Sequence, residues 1–283
     1  MILDEKKKIF KRILFQWHKD NYREMSWRNT RNPYRILISE IMLQQTQVER
    51  VSVKYAEFLK AFPTVQVLAV ASLGDVLRTW SGLGYNRRAK YLHACAKEVV
   101  RAHGAKFPSD ETELKKLPGI GPSTAAALSS FAFNGDAPMI DTNIRRILVR
   151  IFYKTQIPRD RELYLFAKEL IPEGKGREWN YAMLDVGATL CTARGHSPLC
   201  PLTPLHGKVS DIQKKYPQQK FTGSRRYYRG QILKLLVTGE RVTAPLLLRK
   251  LGIPQEDLRG ILDGLIVDKL IMSRRGILKL FAA

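Results

Sequence analysis

Residues 117–125 read LPGIGPSTA, and IDTNIRR follows at 140–146. Two glycines and a proline stand directly before an apolar run of helical period. That order demands a tight turn between two helices and leaves the first N–H groups of the second helix without intrahelical partners. Together with the helix dipole these groups form an anion site, and Gly119 and Gly121 place no Cβ between backbone and anion. The preceding helix, expected over Glu111–Leu117, completes a helix–hairpin–helix. A ligand-free αα-turn would read the same locally. The charge of the chain favours the anion: 48 Lys+Arg against 26 Asp+Glu give a formal net charge of +22 and point to a polyanionic partner. Nucleic acid is the first candidate. An anionic membrane is the second, but no apolar run approaches the roughly 18 residues of a membrane span, so no membrane role is expected. The N-terminus is basic and amphipathic and lacks the apolar core of a signal peptide. Three cysteines, Cys95, Cys191 and Cys200, are too few for a disulfide framework. An intracellular, reducing setting with DNA or RNA nearby is expected (cytoplasm or nucleoid if the source is prokaryotic).

The stretch 5–190 predicts a mainly α body. Helices are expected after the Asn32-Pro33 turn and over Phe58–Phe62, Asp75–Ser81, Arg87–His103 (closed by Gly104), Ser123–Phe133, Asn143–Phe152, Arg161–Ile171 and Trp179–Leu190, with almost no period-two strand signal. Residues 207–224 read as a polar, basic linker. The tail, 225–283, predicts three helices, ending at Gly239, Gly252 and near Asp268, and then a β-hairpin around Ser273–Gly276. That is the order of a winged-helix domain. From residue 207 onward there are 16 Lys+Arg and 6 Asp+Glu, so +10 of the +22 lies there.

With SWRNTRNPYRILISEIMLQQTQVERV (26–51), WSGLGYNRRAKYLHACA (80–96), LPGIGPSTAAALSSFAF (117–133), IDTNIRRILVR (140–150) and NYAMLDVGATLC (180–191) in this order, the chain resembles the helix–hairpin–helix DNA glycosylase superfamily, and within it the MutY-type adenine DNA glycosylases. The resemblance covers roughly residues 5–205. It implies a two-lobed glycosylase fold over 1–206, with a helical module at about 25–135 and a second lobe from 1–24 and 136–206. It also implies an enzyme that flips a base from double-stranded DNA and hydrolyses its N-glycosidic bond. Glu40 aligns with the acid that protonates adenine at N7, which requires a pKa raised by an apolar pocket. A solvated surface glutamate explains ILISEIMLQQ poorly. Asp141 aligns with the aspartate that stabilises the oxocarbenium-like sugar; an N-cap role is its structural alternative. Asn143 matches a position supporting that site. Ser123 stands where bifunctional relatives such as endonuclease III carry a lysine. A serine forms no Schiff base, so a monofunctional enzyme is expected. Gln44 aligns with a residue that wedges into the base stack and Tyr85 with one that intercalates beside the opposite base. Arg87 lies in the same DNA-facing loop, and Trp27 and Arg28 match a segment near the base pocket.

The chain departs from the family twice. Family members hold an iron–sulfur cluster on four cysteines, whereas CTARGHSPLCPLTPLH (191–206) keeps Cys191 and Cys200 and aligns Ser197 and His206 with the other two. No cluster is expected, since such clusters require thiolates. Cys191, His196, Cys200 and His206 form a Cys₂His₂ set as a zinc alternative. The family's Nudix-like reader of 8-oxoguanine is replaced by the winged-helix-like tail. Its Arg225, Arg226, Arg229, Arg274 and Arg275 are the expected phosphate contacts. The leading expectation is a monomeric enzyme excising adenine opposite 8-oxoguanine or guanine. A glycosylase for hypoxanthine or uracil, or a non-catalytic DNA-binding protein on a glycosylase core, are the alternatives.

Overall fold

The computed structural model describes residues 3–153, 157–193, 195–206 and 220–281. The fold is mainly helical. In chain order it comprises α1 (Leu3–Asn21), α2 (Pro33–Leu43), α3 (Val48–Ala61), α4 (Val65–Val70), α5 (Leu73–Trp80), α6 (Arg87–His103), α7 (Glu111–Leu114), α8 (Pro122–Phe133), α9 (Thr142–Phe152), α10 (Asp160–Leu170), α11 (Gly176–Thr189), the short hairpin β1 (Cys191–Thr192) and β2 (Gly195–His196), α12 (Arg225–Val237), β3 (Val242–Thr243), α13 (Ala244–Leu251), α14 (Gln255–Val267), β4 (Ile271–Arg274) and β5 (Ile277–Leu280). The described residues fall into two compact units, one drawn from 1–40, 107–116 and 120–215, the other from 41–106, 117–119 and 216–283.

In the first unit, Phe10 and Leu14 of α1, Ile144, Ile147 and Leu148 of α9, Leu163 and Leu170 of α10, and Trp179, Met183 and Val186 of α11 share one buried core. Their spacing of three, four or seven residues along each helix is what a one-sided helical stripe requires. Two glycines permit close approach. A Cβ on Gly187 would lie 2.6 Å from the Asn143 Cβ, and one on Gly176 would lie 2.2 Å from the Gly135 carbonyl oxygen. The fully buried Asn180 amide then fixes the chain leading to α9. Its Nδ2 donates to the Ser130 hydroxyl and to the Ala137 and Gly176 carbonyls, while its Oδ1 accepts from the Met139 N–H at 2.8 Å.

In the second unit, Thr64 caps α4 by accepting from the Val67 N–H, and α4 packs along α6. The tail carries three helices and a sheet of order β3-β5-β4, all antiparallel. Arg275 (φ 52°) and Gly276 (φ 72°) make the β4–β5 turn, as a two-residue turn with both central residues left-handed does. Asp268 seats the tail. Its carboxylate accepts from Arg229 at 2.5 Å and lies 3.6 Å from Arg87 Nε, and its carbonyl accepts from Lys90 Nζ at 2.7 Å.

One sequence expectation changes and two short elements are added to those expected. The helix expected over Glu111–Leu117 stops at Leu114, because a proline at 118 disfavours helical backbone at 117. Val65–Val70 is a helix that the apolar run after Pro63 does not announce. Cys191–His196 forms an antiparallel hairpin in a stretch without alternation. The expected linker, 207–224, lies outside the described residues up to 219. Gly187→Ala is expected to lower stability by about 1–3 kcal/mol, as overpacking between two helices does, read as a shift in urea midpoint at unchanged slope.

Candidate active site

Every residue from Ile36 to Met42 on α2 is buried. Asn32 starts the helix, its Oδ1 accepting from the N–H groups of Tyr34 and Arg35 at 3.0 and 3.2 Å. Glu40 therefore sits at 9% exposure on a helix whose Ile36, Leu37 and Ile41 are buried as well, and among the described residues its carboxyl makes no hydrogen bond or ion pair. A carboxylate deprived of water and given no donor prefers its proton. Burial pushes Glu40 up from 4.5 to about 7; the Arg28 cation opposes the shift and the Asp141 charge adds to it.

Asp141, half-buried, is the N-cap of α9. Its Oδ1 accepts from the Asn143 and Ile144 N–H groups at 2.8 and 2.7 Å, and its Oδ2 from Asn143 Nδ2 at 2.9 Å. Arg146 orients the Asn143 amide by donating to its Oδ1 at 2.7 Å, and is itself held by the Gly187 and Cys191 carbonyls. The capping role and a site role thus coexist in one carboxylate. Burial raises the Asp141 pKa, opposed by those donors and by Arg146. The two acids thus differ in surroundings: donors that favour the ionised form fill the Asp141 oxygens and oppose the rise there, whereas Glu40 has none among the described residues.

Arg28, in the 3-10 turn Ser26–Arg28, forms a bidentate pair with the fully buried Asp185 of α11, at 2.8 Å in both bonds. Arg23 Nη1 stands 3.7 Å and His18 Nδ1 3.8 Å from the same carboxylate. The Arg28 guanidinium lies over the Tyr181 ring at 4.4 Å, and Tyr181 stacks on Phe131 at 4.2 Å. Trp27 is buried beside it in sequence. Asp185, Tyr181, Arg146 and Asn180 escape sequence reasoning as individual site residues. The one signal for Asp185 is an acid inside the apolar helical run NYAMLDVGA.

Ser123 is half-buried in the first turn of α8, whose N-cap is the exposed Gly121. In the second unit, Gly119 has φ 77°, and a Cβ there would lie 2.6 Å from the Tyr91 Cβ, so the position demands glycine. Gln44 and Tyr85 are exposed. Arg87 is exposed but engaged, donating to the Tyr91 hydroxyl at 3.1 Å and facing Asp268. In the tail, Arg225 pairs with Asp257 at 3.0 Å, whereas Arg226, Arg274 and Arg275 are exposed. Of the zinc candidates, Cys191 Sγ accepts from Arg150 Nη1 at 3.3 Å and the His196 and His206 rings meet edge to face at 4.5 Å. Cys191 and Cys200 join the apolar core with Leu202 and Leu205. Among the described residues no group of three or more His, Cys, Asp or Glu side chains is placed to hold a metal ion, and no helix is long and apolar enough to cross a membrane.

Residues 38–173 match the HhH-GPD superfamily of base excision DNA repair proteins. Adenine DNA glycosylase of Mycobacterium tuberculosis strain H37Rv is 37% identical over 243 residues, covering 80% of this chain and 78% of that one. The Mycolicibacterium smegmatis enzyme of the same name is 34% identical, covering 91% of each. A thermostable thymine-DNA glycosylase structure superposes with a TM-score of 0.68 at 28% identity, over 72% of this chain and 96% of that one. The chain belongs to the adenine DNA glycosylase family of the HhH-GPD superfamily.

Glu40→Gln is expected to stabilise the fold at high pH. A carboxyl whose folded pKa is raised from 4.5 to about 7 contributes its stability fully below 4.5 and loses it as pH rises through 7. The wild type therefore carries a penalty at pH 8 approaching about 3 kcal/mol that glutamine removes. Urea unfolding at pH 8 and pH 5 measures it; the variant's advantage shrinks at the lower pH.

Proposed function

We propose that this protein excises adenine from mispairs in double-stranded DNA by base flipping and hydrolysis of the N-glycosidic bond, in base excision repair. The observation carrying the proposal is the protonated-state preference of Glu40 within the electrostatic reach of Asp141. A purine leaves when its N7 is protonated; neutral Glu40 is the donor, in a pocket without competing hydrogen bonds. As the bond breaks, positive charge builds on the sugar. Asp141, held by three donors and already desolvated, stabilises that charge without reorganising. Asn143 keeps the carboxylate in place, and Trp27 and Arg28 border the base pocket. The N–H groups at Gly121 and the start of α8 take a DNA phosphate.

The reading extends to four finer points. Ser123 offers no amine, so the enzyme is monofunctional and leaves the strand intact. No iron–sulfur cluster is bound, because the 191–206 loop offers two thiols, both in the apolar core, with Cys191 already accepting from Arg150. Adenine opposite 8-oxoguanine or guanine is the substrate, with Gln44 and Tyr85 entering the stack. Arg226, Arg274 and Arg275 of the winged-helix-like tail add phosphate contacts to those of a monomeric enzyme, while Arg87 and Arg225 contribute on release from Asp268 and Asp257.

Single-turnover kinetics on duplexes with adenine opposite 8-oxoguanine, guanine, cytosine and thymine test this. The wild type is expected to release adenine, with strand breaks only after alkali and no borohydride-trapped adduct. The rate should fall as pH rises through about 7, the proton donor being lost. Glu40→Gln and Asp141→Asn should each lose about 10²–10⁴-fold. No adenine release from any duplex would refute the proposal, and release only of hypoxanthine or uracil would replace its substrate.

A further inference from the structure

Arg88 has no counterpart among the residues discussed so far as agents of the reaction, yet it is among the most heavily bonded side chains of the second unit. It is 8% exposed. Its Nη1 donates to the carbonyls of Ile41, Met42 and Gln44 at 2.8, 2.9 and 2.6 Å. Its Nη2 donates to the Thr46 hydroxyl at 3.0 Å and to the Leu83 and Gly84 carbonyls at 3.2 Å each. One planar group thus ties the 44–46 loop at the end of α2 to the 83–84 loop before α6. The guanidinium also lies over the rings of Trp80 and Tyr85, at 5.3 and 5.5 Å.

Each loop carries a non-glycine residue in the left-handed region, Gln45 at φ 57° and Tyr85 at φ 47°. Such backbone persists only where its surroundings over-determine it. Arg88 also violates a local rule. It stands in the first turn of α6, beside Arg87 and with no acid in that turn, where the helix dipole disfavours cations. Breaches of local preference gather where function constrains the chain. Capping the last turn of α2 needs only a bond to Ile41 or Met42; it does not require the second set of bonds to the 83–84 loop.

We propose that Arg88 is a positioning residue that sets Gln44 and Tyr85 as one rigid pair for entry into the base stack. The inference rests on the adenine-glycosylase reading. Lysine cannot replace it, since a tetrahedral ammonium with three donors does not reproduce a planar fork facing two loops.

The test compares Arg88→Lys with wild type in single-turnover excision of adenine from a paired duplex and of adenine opposite an abasic site, where no base pair must be broken. In the Glu40→Gln background, 2-aminopurine beside the target adenine reports stack opening without excision. Arg88→Lys is expected to lose about 10- to 100-fold on the paired duplex, as small misplacements do, to keep most of its rate opposite the abasic site, and to lose the 2-aminopurine signal. The pH dependence should not move, and the penalty should vanish in the Gln44→Ala/Tyr85→Ala background. Equal losses on both substrates, an unchanged 2-aminopurine signal, or a penalty that persists without Gln44 and Tyr85 would overturn the proposal with the adenine reading intact. A wild type that releases no adenine from either substrate would overturn both.

Discussion

The constraint on which the site depends is the removal of the Glu40 carboxyl from water without a hydrogen-bond donor in exchange among the described residues. That environment works against the ionised form and hence against stability at neutral pH, and it is sustained by the apolar turn of α2 on either side of the acid. The opposite solution is used for Asp141, whose oxygens are filled by α9 amides and Asn143. Burial raises the pKa of both carboxyls, but hydrogen-bond donors oppose the rise only at Asp141, a difference of environment of the kind that separates acid from charge-stabilising roles.

Much of the surrounding structure holds this difference in place. Gly187 lets α11 come close enough to α9 for Asn143 to be fixed from both sides. Asn180 anchors the segment that delivers Asp141. The Arg28–Asp185 pair is buried and bidentate; removing one partner of such a pair leaves an uncompensated charge.

The helices were legible where local signals were strong. The helix expected over Arg87–His103 is found with those bounds, closed by Gly104 at φ 55°, and the tail hairpin lies where Arg275-Gly276 announces a left-handed turn. Signals failed where the element is short: α4 and the β1–β2 hairpin are too brief to show a period. Glu40 and Asp141 are singled out by the family resemblance; the local signs beside it are an acid interrupting an apolar run in one case and preceding a helix in the other. Arg88, Arg146, Asn180 and Asp185 did not stand out. Their roles are set by partners tens of residues away in the chain, and neither spacing nor residue type encodes those partners. Nor does spacing reveal that Arg87, read as part of a DNA-facing loop, and Arg225, read as a phosphate contact, already face Asp268 and Asp257.

The central claim is that Glu40 is held protonated near neutral pH. The most direct measurement is an NMR titration of carboxyl-¹³C-labelled glutamate in the DNA-free protein, with the Glu40 resonance assigned by its disappearance in Glu40→Gln. A midpoint at about 7, well separated from the other glutamates, is the predicted result. A midpoint at the ordinary value of 4.5 would contradict the account, because a carboxylate ionised at neutral pH has no proton to give the leaving base.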